Sequence, residues 1–275
     1  MPTVLVNADD FGLHADIDRG ILQCVEAGVV QSLSFCPQGQ SLDWNKLHEL
    51  TRAGVRVGLH VTLVGEPWGS DGRAVPHWKS LVKQLTFGGR AMREAVEREI
   101  NWQVRQCIDH GVDLSHIDSH QHVHAFGGVW QPVLRVASER NIPRVRVPWC
   151  PRWKIIKKNV GGIALQTLSA RLGRRVKETM GSFLPILGVA HAGHNTAGIY
   201  ERELSCLGGV GDIELCVHPG VNTPQLEQRY GGWRFDWTGE RDALLCRRFA
   251  DAVSGSGYTL ATITPVQTAN AAAVA

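Results

Sequence analysis

"TVLVNADDFGLHADIDRGILQCVEAG" (residues 3–28) is the unit from which the fold is read. Its first six residues, TVLVNA, are an apolar run of strand length and read as a buried strand. The segment 15–28 places Ile17, Ile21, Leu22 and Val25 at helical spacing and closes on Gly28. A strand followed by a helix then recurs along the chain. Strands are expected at 32–36, 55–63, 114–119, 144–148, 212–220 and 259–264. Helices are expected at 42–54, 91–111, 129–141 and 239–257. Residues 65–78 read as a loop rich in Gly, Pro and Trp, and 149–180 is basic and carries no clear period. This rhythm calls for a parallel sheet, because parallel strands need helical crossovers. A distorted, TIM-like (β/α) barrel and an open doubly wound sheet are the two ways to arrange it. No Gly-rich phosphate or dinucleotide fingerprint follows the first strand, which counts against the nucleotide-binding version.

The 275 residues, 43% hydrophobic and 20% charged, suit one α/β domain, with residues from about 266 onward as a weakly ordered tail. A net charge of +3 gives no general reason to bind nucleic acid. The basic runs PRWKIIKKN (151–159) and RLGRR (171–175) are the local exceptions. They read as solvated surface, or as a patch for an anionic substrate or a membrane face. Seven cysteines, an odd number with no Cys-x-x-Cys pair, point to reduced thiols and a cytoplasmic setting. Neither a signal peptide nor a membrane-spanning run is expected. The chain is expected to carry no membrane span, with peripheral membrane contact and a homodimer as open options.

Functional sites of parallel α/β proteins lie at the carboxyl ends of the strands. Here the first strand ends in Asn7, Asp9 and Asp10, the third carries His60, and the next ends in HIDSHQHVH (116–124) with Asp118, His120, His122 and His124. The strand at 212–220 ends in His218. One histidine at a strand end is usually structural, and an Asp pair before Phe-Gly is an ordinary turn. Four strands delivering such groups to one rim are better read as a site. Imidazoles with a carboxylate suit a divalent transition metal. A second carboxylate can then deprotonate water and an opposing histidine can protonate a leaving group. Asp9 and Asp10 share a site only if the strand bends there, since neighbours on an extended strand point to opposite faces. His120 and His124 compete as ligands. His-Val-His (122–124) also matches a strand-end pattern of amidohydrolases, although there it ends the first strand.

Taken together, NADDFG, GLHVTL, HIDSHQHVH and ELCVHPG, in this order and spacing, resemble the YdjC-like carbohydrate deacetylases, which include chitooligosaccharide and hopanoid-associated members. The resemblance runs from Val4 to about Ile263. It implies a distorted (β/α) barrel and a hydrolase that removes acetyl from an N-acetylated amino sugar. By the same resemblance Asp10, His60 and His120 hold one divalent metal ion, Asp9 is the general base and His218 the general acid. Asp118 and His124 then stand behind the ligands or touch substrate. Zn is favoured by the donor types, with Mg, Mn, Co and Ni as other candidates. Asn7, His191, His194, Trp68 and Trp149 are further candidates for lining the cleft. The basic, Trp-rich character of 149–159 suggests a sugar carried on something anionic or lipidic. The competing readings are a metallohydrolase for another amide or an ester, and a carbohydrate-binding barrel without catalysis.

Overall fold

The β-then-α rhythm is realised in the computed structural model as a curled, all-parallel sheet wrapped by helices; residues 1–152, 160–208 and 211–263 are described. The order along the chain is β1 (Thr3–Phe11), α1 (Ala15–Glu26), β2 (Ser32–Phe35), α2 (Trp44–Arg52), β3 (Arg56–Val61), α3 (Trp78–Phe87), α4 (Gly89–Asp109) and β4 (Ile117–Ser119). A 3-10 turn (His120–Ala125) leads to α5 (Trp130–Glu139), α6 (Val160–Met180), β5 (Ile186–Leu187), α7 (Ala197–Leu207) and β6 (Ile213–Val217). Helix α8 (Pro224–Tyr230), a second 3-10 turn (Gly231–Trp233), α9 (Trp237–Leu245), α10 (Arg247–Gly255) and β7 (Thr259–Leu260) follow.

The sheet order is β4-β3-β2-β1-β6-β5, with β7 paired to the start of β1. Strand β1 is therefore central and buried on both faces, which is why TVLV carries no polar alternation. Its Val4, Val6 and Ala8 are fully buried in the core, and each such Val contributes about 1.5–3 kcal/mol over an exposed one. Helix α1 ends as its sequence predicts. Gly28 has φ +73°, the left-handed conformation that stops a helix and that glycine adopts without a Cβ clash.

The stretch expected as a strand at 144–148 forms a single parallel bridge, Ile117 with Val145. It nevertheless links the two edges of the sheet. Ile117 N–H donates to Arg144 O and Arg146 N–H to Ile117 O on the β4 side. Ile186 N–H donates to Trp149 O on the β5 side. This seam makes the sheet a distorted barrel rather than an open one. It also carries Arg146 inward.

Other expectations shift. The helix expected at 239–257 is two helices, broken at Cys246, whose backbone is extended (φ −78°, ψ 152°). Helix α9 packs on α1 and α10 on α7, so tertiary partners set the break. Helices α3 and α6 arise where no period was evident, α3 with His77 Nδ1 accepting from Ser80 N–H at its start. The tail from residue 266 and most of the basic run, 153–159, lie outside the described residues. No described helix is long and apolar enough to cross a membrane.

Candidate active site

The bend that Asp9 and Asp10 need is present. Asp10 has φ +72°, and the register between β1 and β2 shifts between Ala8 and Phe11. A non-glycine residue in this conformation is held there by its surroundings. Gly12, at φ +88°, donates its N–H to Asp18 Oδ1 at 2.6 Å, and the Ser41 hydroxyl donates to Asp18 Oδ2 at 2.6 Å. Phe11 O accepts from Cys36 N–H, and Gly12 O from Ser41 N–H. Helix α1 and the loop after β2 thus clamp the turn that turns both carboxylates inward.

Asp10 Oδ1 lies 2.9 Å from His120 Nδ1 and 3.3 Å from His60 Nε2. One ligand-type atom from each of these three buried residues lies within 4.8 Å of the others. His60 Nδ1 is 2.7 Å from Asp118 Oδ1. Asp118 Oδ2 accepts from the Ser34 hydroxyl at 2.7 Å and lies 2.7 Å from Arg146 Nη1. A carboxylate behind a ligand imidazole fixes its tautomer and orientation. Burial disfavours charge on His60, yet the carboxylates of Asp118, Asp9 and Asp10 outweigh it and push the pKa up to about 10. Burial also opposes ionisation of Asp10, but His120 and His60 hold its carboxyl well below the usual range.

Arg146 organises the opposite side and was missed in the sequence. Its Nη1 and Nη2 donate to Asp9 Oδ2 and Oδ1 at 2.6 and 2.7 Å, a bidentate pair. Its Nε donates to Glu214 Oε1 at 2.6 Å, and Arg144 pairs with the other oxygen of Glu214. Asn7 Nδ2 donates to Asp9 Oδ1 at 2.8 Å. The Cys216 thiol donates to Asp9 Oδ2 at 3.2 Å. Burial alone would raise the Asp9 pKa; Arg146 and then His60 overcome this and keep it well below the ordinary value. The signal was visible in outline: RVRVP and DIELCV each place charge inside an apolar strand-like run, and buried charges require partners.

His218 follows β6. Its backbone N–H donates to Glu240 Oε1 at 2.9 Å, and its Nδ1 lies 3.8 Å from the same oxygen. Glu240 also accepts from the Tyr200 hydroxyl at 3.0 Å and from Asn195 Nδ2 at 3.2 Å. Burial works against the His218 imidazolium, but Glu240, Asp9 and Asp10 outweigh it and raise the pKa above 6.5. Trp233 packs over the His120 ring at 4.8 Å, and Phe235 meets His218 edge-on at 5.3 Å.

The backbone separates His120 from His124. Gln121 and His122 have φ +54° and +53°, so the chain is no regular helix there, and the two rings part. His124 lies 2.6 Å from the Ser119 hydroxyl through Nδ1 and 2.9 Å from Arg146 O through Nε2, so both nitrogens have structural partners. His122 is half-buried beside it, and desolvation lowers its pKa to about 3. Trp68 is corrected as a cleft residue: it is 1% exposed and donates its indole N–H to Leu63 O, packing the loop onto the barrel. Trp149 stands edge-on to Phe183 at 6.0 Å. His191 lies 3.3 Å from Glu203, and His194 meets Phe235 at 6.4 Å.

A metal fits this arrangement on two observations. The three donors are the two-imidazole, one-carboxylate set that transition metals favour. His120 Nε2 is buried without a hydrogen-bond partner among the described residues, an arrangement a structure avoids unless something else satisfies the atom.

Fold and cluster together define a parallel α/β barrel protein with a carboxylate–imidazole centre at the carboxyl rim. The model of the YdjC-like protein family matches residues 3–254, and the chain belongs to that family. It is 33% identical over 158 residues to a carbohydrate deacetylase of Brevibacillus brevis, covering 53% of this chain and 59% of that protein. It is 24% identical to a carbohydrate deacetylase of Xenopus laevis over 88% of each chain. With the Brevibacillus protein the match thus spans about three-fifths of the relative's length. A crystal structure from Enterococcus faecalis V583, of a protein only provisionally assigned to cellobiose-phosphate cleavage, shares the fold. Its TM-score is 0.71 at 17% identity, covering 95% of this chain and 97% of that one.

Proposed function

We propose that this chain is a metal-dependent hydrolase that removes the acetyl group from an N-acetylated amino sugar. The observation that carries the reading is the placement of Asp10, His60 and His120 around one point, with Asp9 and His218 beside it. A divalent metal held by Asp10, His60 and His120 supplies Lewis-acid polarisation and brings the pKa of a water toward neutrality. The chain does the rest. Asp9, kept ionised and aimed by Arg146 and Asn7, takes the proton as water adds to the acetyl carbonyl. His218, whose imidazolium Glu240 favours against burial, gives its proton to the sugar nitrogen as the C–N bond breaks, and acetate and the free amine result. Trp233 offers an aromatic face for the apolar side of a sugar ring.

The proposal extends to a sugar that carries an apolar group. A mostly apolar cavity of about 320 Å³ is lined by Trp78, Gln121, Phe126, Leu165, Ile186 and Leu187, and Gln121 directly follows His120. The test is acetate release from N-acetylglucosamine, chitobiose and lipid-linked N-acetyl sugars, with a chelator control. Asp10→Ala is expected to lose metal and activity together. Asp9→Asn is expected to keep metal and lose turnover by a factor on the order of 10²–10⁴. Near-normal turnover of Asp9→Asn would refute the base assignment.

A further inference from the structure

A second group of metal-type donors lies next to the proposed centre: Asp9, Cys216 and His218, each offering one ligand atom within 4.8 Å of the other two. Cys216 sits on β6 in register with Asn7 of β1, so its thiol meets the Asp9 carboxylate across the sheet. The two strands are central, and the thiol is fully buried.

We propose that Asp9, Cys216 and His218 form a second, inhibitory site for a thiophilic divalent cation such as Zn²⁺. The spacing suits this. With Zn–S about 2.3 Å and Zn–O about 2.1 Å, a tetrahedral angle puts sulfur and oxygen roughly 3.6 Å apart. The Cys216 Sγ to Asp9 Oδ2 distance is 3.2 Å, so a shift of a few tenths of an ångström lets the cation stand where the S–H proton now stands. That proton leaves to solvent, because a coordinating thiol is deprotonated by the metal. Burial, and then the nearby Asp9 charge, keep the thiol protonated otherwise. Asp9 keeps its two bonds to Arg146 throughout, since the cation replaces only the thiol hydrogen.

A third group, Asp9 with His60 and Asp118, is of a different kind. Arg146 Nη1 already lies between its two carboxylates, 2.6 Å from Asp9 and 2.7 Å from Asp118, and supplies the positive charge. The site with Cys216 is the one that offers a soft sulfur donor beside an imidazole, which selects Zn²⁺ or Co²⁺ over Mg²⁺. A cation there occupies the base and the acid at once, so turnover stops while the first cation stays bound. Only this inhibition rests on the roles proposed for Asp9 and His218; the binding itself does not.

The experiment is a titration of the metal-free 275-residue chain with Co²⁺, followed by absorption. The first equivalent is expected to give ligand-field bands without a thiolate charge-transfer band. The second is expected to add that band in the near ultraviolet. Cys216→Ser is expected to lose the second feature and keep the first, which shows its fold and first site intact. Cys36→Ser, a buried thiol outside the group, is expected to keep both. In parallel, Zn²⁺ beyond one equivalent is expected to suppress acetate release, and Cys216→Ser to raise the inhibiting concentration about tenfold or more. Absence of a thiolate band at several equivalents overturns the site, as does a band that survives Cys216→Ser. A Cys216-dependent band with undiminished turnover overturns the inhibition, and with it the proton-transfer roles of Asp9 and His218.

Discussion

Replacing Arg146 tests the electrostatic core of the site. The guanidinium is buried and bonds three carboxylates: Asp9 through Nη1 and Nη2, Asp118 through Nη1, and Glu214 through Nε. A lysine keeps the charge but presents a single nitrogen. Placed where Nη1 stands, it retains the contacts to Asp9 Oδ2 and Asp118 and gives up those from Nη2 and Nε. Two charge-assisted hydrogen bonds at about 1.5–3 kcal/mol each set the loss at about 3–6 kcal/mol before relaxation. Arg146→Lys is therefore expected to be destabilised by about 3 kcal/mol, within the stability of an ordinary domain. Arg146→Met leaves the carboxylates without a counter-charge and is expected to lose about 3–5 kcal/mol or to fail to fold. Urea unfolding of wild type and Arg146→Lys at neutral pH gives the difference directly. The kcat of Arg146→Lys is expected to fall more than its KM changes, because Asp9 loses half of its bidentate hold. A destabilisation under about 1 kcal/mol with unchanged kcat would refute the claim that Arg146 organises the site.

Asp18 supplies a pH prediction. Burial raises its pKa from 3.8 to about 6, against the opposing bonds from Ser41 and Gly12. The unfolded carboxyl loses its proton first as pH rises, so the folded state binds more protons over that window and stability falls by about 2 kcal/mol from pH 4 to 7. Asp18→Asn is expected to lack this decline; a wild-type-minus-variant difference that is flat over this range in urea unfolding would count against it. Gly20→Ala is expected to cost about 1–3 kcal/mol by thermal or urea unfolding, because a Cβ there would come within 2.2 Å of the Gly220 backbone, just after His218. Trp233→Ala is expected to raise KM for an N-acetyl sugar on the order of tenfold with little change in kcat, and an unaltered KM would remove Trp233 from the binding face.

Much of this protein was legible locally. The strand–helix alternation, the glycine stop after α1 and the delivery of Asp9, Asp10, His60, His120 and His218 to strand ends follow from residue periodicity and from the geometry common to parallel sheets. These are short-range properties, and the chain writes them in order. The sequence also stated the condition for Asp9 and Asp10 to share a site, a bend after β1, without showing what holds it. Only the tertiary structure supplied Asp18 and Ser41 as that clamp. It alone parted His120 from His124, through the left-handed residues Gln121 and His122. It paired Arg146 with Asp9 across 137 residues and set Cys216 and Glu240 beside the proposed base and acid. It also moved Trp68 into the core and put Trp233 at the site. Such partners are chosen by strand register and by the need to neutralise charges buried from water. Neither leaves a periodic trace in the sequence, because the residues involved meet only when distant strands are laid side by side.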